Sequence, residues 1–206
     1  MTPAWLLPSS RNWGSSRTRI ISAMFLNQAI LAAIMINMQI GISEEPWRAV
    51  NDGVMGGISS GGMVRVDEVL RFEGTLSLEN NGGFASARRL VDHDLSTADS
   101  VRLLIRGDGR EYQFRLRIDD RWDGIAWRAK FLTTGDWQTV DLELGEFEPV
   151  FRGRLVRDAG SLAAEKIRQV GFMLADKRAG PFRLDIRSIE FLSTDRTKKG
   201  PDTFFP

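Results

Sequence analysis

The sequence contains no cysteine. That excludes disulfide bonds, thiolate nucleophiles, iron–sulfur ligation and every zinc site built on thiolates. It leaves the compartment open, because cytosolic and exported proteins both occur without cysteine. Histidine is nearly as scarce, and His93 stands alone. One imidazole cannot build a histidine-rich metal site, and any Ser-His-Asp triad has to pass through it. His93 lies in Val91-Asp92-His93-Asp94-Leu95, between two candidate strands. That pattern fits a surface loop better than a general base. Lysine is sparse too (Lys130, Lys166, Lys177, Lys198 and Lys199), so arginine carries most of the basic charge. The formal net charge is only +1, which excludes a whole-chain field able to hold nucleic acid or an anionic membrane. No internal repeat and no strand–helix alternation is present, which argues against a dinucleotide-binding sheet.

What is present suffices for a core. Hydrophobic residues make up 42% of 206 positions, enough for one ordinary domain with some additional sequence. The additional sequence is N-terminal, residues 1–42. Arg11, Arg17 and Arg19 precede an uncharged run from Ile20 to Ile42, interrupted by Asn27, Gln28, Asn37 and Gln39. A bilayer needs roughly 20 apolar residues, and a basic flank before an apolar run is also the layout of a signal peptide. Three readings stay open: an export signal or membrane anchor, a helix of a soluble domain, or upstream sequence ahead of a later start at Met24, Met35 or Met38. A start near Met38 implies a cytoplasmic protein. Otherwise the chain is exported or anchored, and residues 20–42 are its only route to a membrane.

From Trp47 onward the texture changes to short runs of period two, separated by Gly, Asn and Asp. Tyr112-Gln113-Phe114-Arg115-Leu116-Arg117-Ile118 alternates strictly, arginine on one face and apolar residues on the other. Trp127-Arg128-Ala129-Lys130-Phe131 does the same, as do runs near Val69, Val101, Trp137, Val170 and Phe182. Such alternation means one buried and one wet face, as in antiparallel sheets. The expectation is an all-β sandwich over residues 43–193, with one short helix at Ser161 to Gln169 and a loose tail over 194–206. Asn80-Asn81-Gly82-Gly83 and Gly107-Asp108-Gly109-Arg110 read as hairpin turns.

Few patterns carry chemistry. Asn51-Asp52-Gly53-Val54-Met55-Gly56-Gly57 is rich in glycine but lacks the spacing of a phosphate-binding loop or a dinucleotide fingerprint. Asp119-Asp120 and Asp123 lack the distal glutamate of an EF-hand loop. No metal, cofactor or catalytic residue is therefore assigned, with an unrecognised acid pair involving Asp108 or Asp52 as the enzymatic alternative. Of the six tryptophans, Trp122 and Trp127 are candidates for stacking on a sugar.

The ordered set of clusters is more specific than any one of them. It runs Trp47-x-x-Val50-Asn51-Asp52-Gly53-Val54-Met55-Gly56-Gly57, Phe72-Glu73-Gly74 and Glu79-Asn80-Asn81-Gly82-Gly83-Phe84-Ala85-Ser86-Ala87-Arg88. Arg106-Gly107-Asp108-Gly109-Arg110-x-Tyr112, Trp137 and Phe151-Arg152-Gly153-Arg154 follow. Gly171-Phe172-Met173-Leu174-Ala175-Asp176-Lys177 and Gly180-Pro181-Phe182 close it. Over Trp47 to Phe191 the chain resembles the complex I intermediate-associated protein 30 family. The resemblance implies a galactose-binding-like jelly roll akin to some carbohydrate-binding modules. It also implies a non-catalytic, chaperone-like assembly factor whose partners are subunits or assembly intermediates of respiratory complex I. The alternative is a jelly-roll carbohydrate-binding module with a glycan partner. If one surface does the binding, its candidate residues are Asn51, Asp52, Met55, Asn80, Phe84, Arg88, Arg152 and Arg154. Arginine supplies bidentate contacts, Asp52 and the asparagines hydrogen bonds, and Met55 and Phe84 an apolar anchor.

Overall fold

The computed structural model describes residues 46–121 and 123–193, together with Met38 and Gln39. The remaining N-terminal segment, Trp122 and the tail from Thr194 lie outside the described residues, and so do the expectations made for them.

Strands form where apolar side chains recur at every second position. They are β1 (Met38–Gln39), β2 (Arg48–Ala49), β3 (Ser60–Val66), β4 (Val69–Leu76), β5 (Ala85–Leu90), β6 (Ser100–Arg106) and β7 (Glu111–Arg117). β8 (Ala126–Leu132), β9 (Gln138–Glu143), β10 (Glu148–Phe151), β11 (Arg154–Leu155), β12 (Gln169–Leu174) and β13 (Gly180–Leu192) follow. The first sheet has the order β3-β4-β13-β6-β9, with β1 against the end of β13, and the second runs β11-β10-β8-β7-β12-β5-β2. Neighbours are antiparallel, and consecutive strands repeatedly change sheet, as in a jelly roll.

The core lies between the sheets. In β7, Tyr112, Phe114 and Leu116 are buried there, while Gln113, Arg115 and Arg117 project to the other side. Phe172 of β12 meets Phe114 edge-on at 5.2 Å between ring centroids, and Phe72 packs on Phe182 at 4.9 Å. Each such fully buried large side chain contributes about 1.5–3 kcal/mol. β13 shows how the pattern absorbs an irregularity. Leu184 and Ile186 face the core, then Ile189 and Phe191, so the phase slips by one residue. A β-bulge between Ile186 and Ser188 takes up the extra residue.

Three local expectations are corrected. The helix expected at Ser161 to Gln169 is a single 3₁₀ turn, Ala164–Lys166, flanked by extended backbone at Ala163 and Ile167. Ile167 is drawn into the core and β12 begins at Gln169, so tertiary burial overrides a segment too short to sustain a helix alone. Asn80–Gly83 and Gly107–Arg110 are not hairpins. Each joins a strand of the first sheet to one of the second.

The outer face of the first sheet carries a buried charge. Asp185 is 1% exposed, with Arg71 and Arg106 directly across from it on the flanking strands. Arg71 Nε lies 2.6 Å away, Arg183 Nη2 2.7 Å and Arg106 Nη2 2.9 Å. Arg106 and Arg187 also stack over Trp137, at 5.0 and 4.3 Å from its ring centre. Burial opposes ionisation of Asp185, but hydrogen bonds from Arg183, Arg71 and Arg106 outweigh it and hold the carboxyl below its ordinary range. A group depressed in the folded state contributes stability that is complete above its unfolded pKa, near 4, and is lost as pH falls through the folded value. The urea midpoint is therefore expected to hold steady from about pH 7 to 5 and to drop steeply below about 4. Asp185→Asn should flatten that acid limb. Urea titrations of both proteins across this range decide it, and identical acid limbs would contradict the assignment.

Candidate functional site

Most of the family-like clusters converge on one end of the sandwich. Four connections pass between the sheets there: β4 to β5, β6 to β7, β8 to β9 and β12 to β13. Crossing loops bring backbone polar groups into a region shielded from water, and each group needs a partner.

One partner is Asp52, which is 0% exposed and opens a 3₁₀ turn, Asp52–Met55. Its carboxylate accepts hydrogen bonds from Ser59 N at 2.8 Å, Ser59 Oγ at 2.5 Å, Gly83 N at 2.7 Å and Phe84 N at 3.3 Å. Burial works against the charge, but these donors win and keep the carboxyl below its usual range. Two glycines make room for it. A Cβ on Gly57 would lie 2.4 Å from Asp52 Cγ, and one on Gly82 2.6 Å from Asp52 Oδ2. Asn51 reaches the other way, donating to Gly61 O at 2.9 Å and accepting from Ser86 N at 3.1 Å. The clusters at Trp47–Gly57 and Glu79–Arg88 thus form one interlocked corner.

The second partner is Arg110. Its guanidinium forms a bidentate pair with Asp176, Nε at 2.9 Å and Nη2 at 2.6 Å, with both side chains buried. It also donates to the carbonyls of Pro181, at 3.1 Å, and of Arg178. The Arg110 carbonyl in turn accepts from Thr133 N and Oγ1. Asp108 accepts from Tyr112 Oη and Arg183 N. Asp176 is depressed despite its burial, because Arg110 and the Arg178 N–H bond it.

The sequence candidates separate into three groups. Asn51, Asp52, Met55, Asn80 and Phe84 share the Asp52 corner. Asn51 and Asp52 are spent on internal hydrogen bonds there. Met55 is 62% exposed, beside Val54 at 72% and Ile58 at 55%, and Leu78 is exposed in the adjoining crossing. Arg88 lies elsewhere, on the outer face of β5, paired across from Arg48 and Gly171. Arg152 and Arg154 belong to the β10–β11 hairpin at the far edge of the second sheet. Arg152 and Gly153 have φ values of 48° and 80°, so this is a two-residue turn of the mirror-image class. Arg152 Nη2 reaches Asp123 at 2.6 Å.

Trp127 is only 2% exposed and packs in the core, so its ring offers no face to a sugar. Asp119, Asp120 and Asp123 are engaged by Arg121, Arg168 and Arg152 rather than arranged around a cation. The exposed apolar trio on the Asp52 loop and the Arg110–Asp176 pair stood out less in the sequence. Val54, Met55 and Ile58 between glycines are a readable signal for the first. The second joins residues 66 positions apart and has no local signature.

The sequence profile of the complex I intermediate-associated protein 30 family matches residues 37–186. The chain belongs to this family. The mitochondrial complex I intermediate-associated protein 30 of Mus musculus is 32% identical over 103 residues, covering 48% of this chain and 31% of the mouse protein. That of Drosophila melanogaster is 24% identical over 127 residues, covering 58% and 43%. The chain therefore spans less than half the length of either relative. Among solved structures, a family 11 carbohydrate-binding module of a Clostridium thermocellum cellulase superposes with a TM-score of 0.58 at 17% identity. The match covers 76% of this chain and 95% of that one. That likeness places the complex I intermediate-associated protein 30 domain among jelly rolls and concerns the fold alone.

In this family member the Asp52 corner should be costly to disturb. Asp52→Ala leaves three backbone N–H groups, that of Ser59 buried and those of Gly83 and Phe84 part-buried, without their acceptor and is expected to cost about 3 kcal/mol. Gly57→Ala should be comparably destabilising, although it removes no polar group, because its Cβ collides with Asp52. Denaturant unfolding measures both, and a near-neutral Gly57→Ala would show that the corner is loose.

Proposed function

We propose that this chain is a non-catalytic binding module that holds a protein partner during assembly of respiratory complex I, the partner being a subunit or an assembly intermediate. Family membership supports the context, since the curated relatives bear that name. The observation that carries the reading is the Asp52 loop. It displays Val54, Met55 and Ile58 to solvent while its base is held by four hydrogen bonds to one buried carboxylate. Three large apolar side chains on a rigid base suit a contact that closes on a partner, because little loop entropy is lost on binding.

The residues available for catalysis support the same reading. Asp52 is saturated by donors, Asp108 is engaged by Tyr112 and Arg183, and His93 lies on an exposed loop. The relatives are named mitochondrial, and no helix among the described residues is long and apolar enough to cross a membrane.

The test is affinity capture of a C-terminally tagged copy from its native host, with mass spectrometry of co-purifying proteins. Complex I subunits should be enriched. A variant carrying Val54→Ser, Met55→Ser and Ile58→Ser should lose most of that enrichment while keeping the wild-type unfolding midpoint. Absence of complex I subunits, together with binding on a glycan array, would replace this reading with the carbohydrate one.

A further inference from the structure

The first sheet ends on a strand with one side open. β9 is hydrogen-bonded to β6, and among the described residues no strand pairs with its other side. In an antiparallel pair every second residue turns its N–H and C=O away from the partner, so an edge strand presents a ladder of donors and acceptors. The other edges are shorter or partly closed. β2 and β11, which end the second sheet, are two residues long each. β3, at the opposite edge of the first sheet, receives the Asn51 side chain on its Gly61 carbonyl.

Charge distinguishes the β9 edge. No lysine or arginine occurs between Lys130 and Arg152, whereas Asp136, Asp141, Glu143, Glu146 and Glu148 all fall there. All of these acids are exposed. Asp141 is paired with Arg102 on β6, and Glu148 with Arg128 on β8. Arg106 and Arg187, near the start of β9, are stacked on Trp137. The carboxylates of Asp136, Glu143 and Glu146 have no ion pair or hydrogen bond among the described residues.

Charged side chains on an edge strand guard it against pairing. Here the guard has one sign. A second copy of β9 laid against the first brings Asp141 and Glu143 of both copies together, and like charges across strands are destabilising. A basic segment meets attraction instead. The two sides of the strand set the rest of the pattern. Thr139, Asp141 and Glu143 project to solvent, while Leu142 is buried and Val140 half-buried against the core. An added strand matches side with side. Its occupant therefore carries basic residues at alternate positions, beside Asp141 and Glu143, and apolar ones between them, beside Val140 and Leu142.

We infer that the open edge of β9 takes up an extended segment of a protein partner, basic and apolar in alternation, as an added strand. The Asp52 loop closes on β3, at the opposite edge of the first sheet, so this site is separate from it and does not depend on the assembly reading.

The experiment uses the full chain, with chemical shifts and amide hydrogen exchange read by NMR. In the free chain alternate amides of β9 should exchange quickly. Slow exchange at all of them overturns the proposal: a dimer in sedimentation would then give the edge to a second copy, and a monomer would give it to another segment of this chain. The probe is a short peptide alternating arginine and valine. It should shift the β9 amides saturably and slow the exposed ones roughly tenfold or more at saturation. The same peptide with glutamate for arginine should do neither. An arginine–valine peptide N-methylated throughout keeps the charge but loses the ladder, and it should leave the exchange rates unchanged. Equal protection by that peptide would mean that charge alone acts, and would sink the strand reading. Glu143→Lys should weaken binding roughly threefold or more, as expected for reversing one surface charge contact. Glu68→Lys makes the same charge change on the β3–β4 turn and should leave binding as it is, whereas an equal loss in both variants contradicts a site at β9. The variant carrying Val54→Ser, Met55→Ser and Ile58→Ser should bind the peptide as wild type does, which keeps the two surfaces separately testable. An arginine–valine peptide that leaves β9 unshifted overturns the proposal.

Discussion

The guanidinium of Arg110 is the contact on which the closed end of this sandwich depends. It is bonded to both oxygens of Asp176 and to the Pro181 and Arg178 carbonyls, while its own carbonyl receives Thr133. One residue, through its side chain and its carbonyl, thereby joins three of the four segments that cross between the sheets. A neutral side chain could satisfy only part of that set, and lysine lacks the fork. Asp52 does the matching work for the remaining crossing. Removing either hub leaves several buried polar groups without partners, which costs more than the hub's own bonds are worth.

This arrangement separates structure from recognition. Most residues of the family's motif set lie in the two corners, where glycines admit the carboxylate of Asp52 and polar atoms close on one another. What they leave exposed is different in kind: an apolar loop on a fixed base. Likeness to carbohydrate-binding modules at 17% identity conveys the shared jelly roll. It does not convey their ligands, because function resides in side chains grafted onto the fold.

The strands were legible because one face is buried and the other wet. Tyr112, Phe114 and Leu116 announce their direction by spacing alone. The same alternation in Trp127, Ala129 and Phe131 puts Trp127 on the core side, which decides against a stacking role. Sheet membership was not legible. Asn80–Gly83 and Gly107–Arg110 have hairpin chemistry, yet turn residues specify a reversal and not which sheet receives the next strand. Burial of Asp52 was also hidden, because an acid among glycines looks like a surface loop until Ser59, Gly83 and Phe84 are seen to point at it. The alternating arginines of β7 and β8 could be read directly. Their alignment with Arg88 and Gly171 needed the register of four strands.

A double-mutant cycle across Arg110 and Asp176 probes the closing of this end most directly. Unfolding free energies would be measured for wild type, Arg110→Met, Asp176→Leu and the double variant. If the pair holds the crossings together, each single change should be strongly destabilising, and the double variant should recover about 2–3 kcal/mol relative to their sum. Additive losses would mean that the two residues act separately, and that the crossings are held by core packing alone.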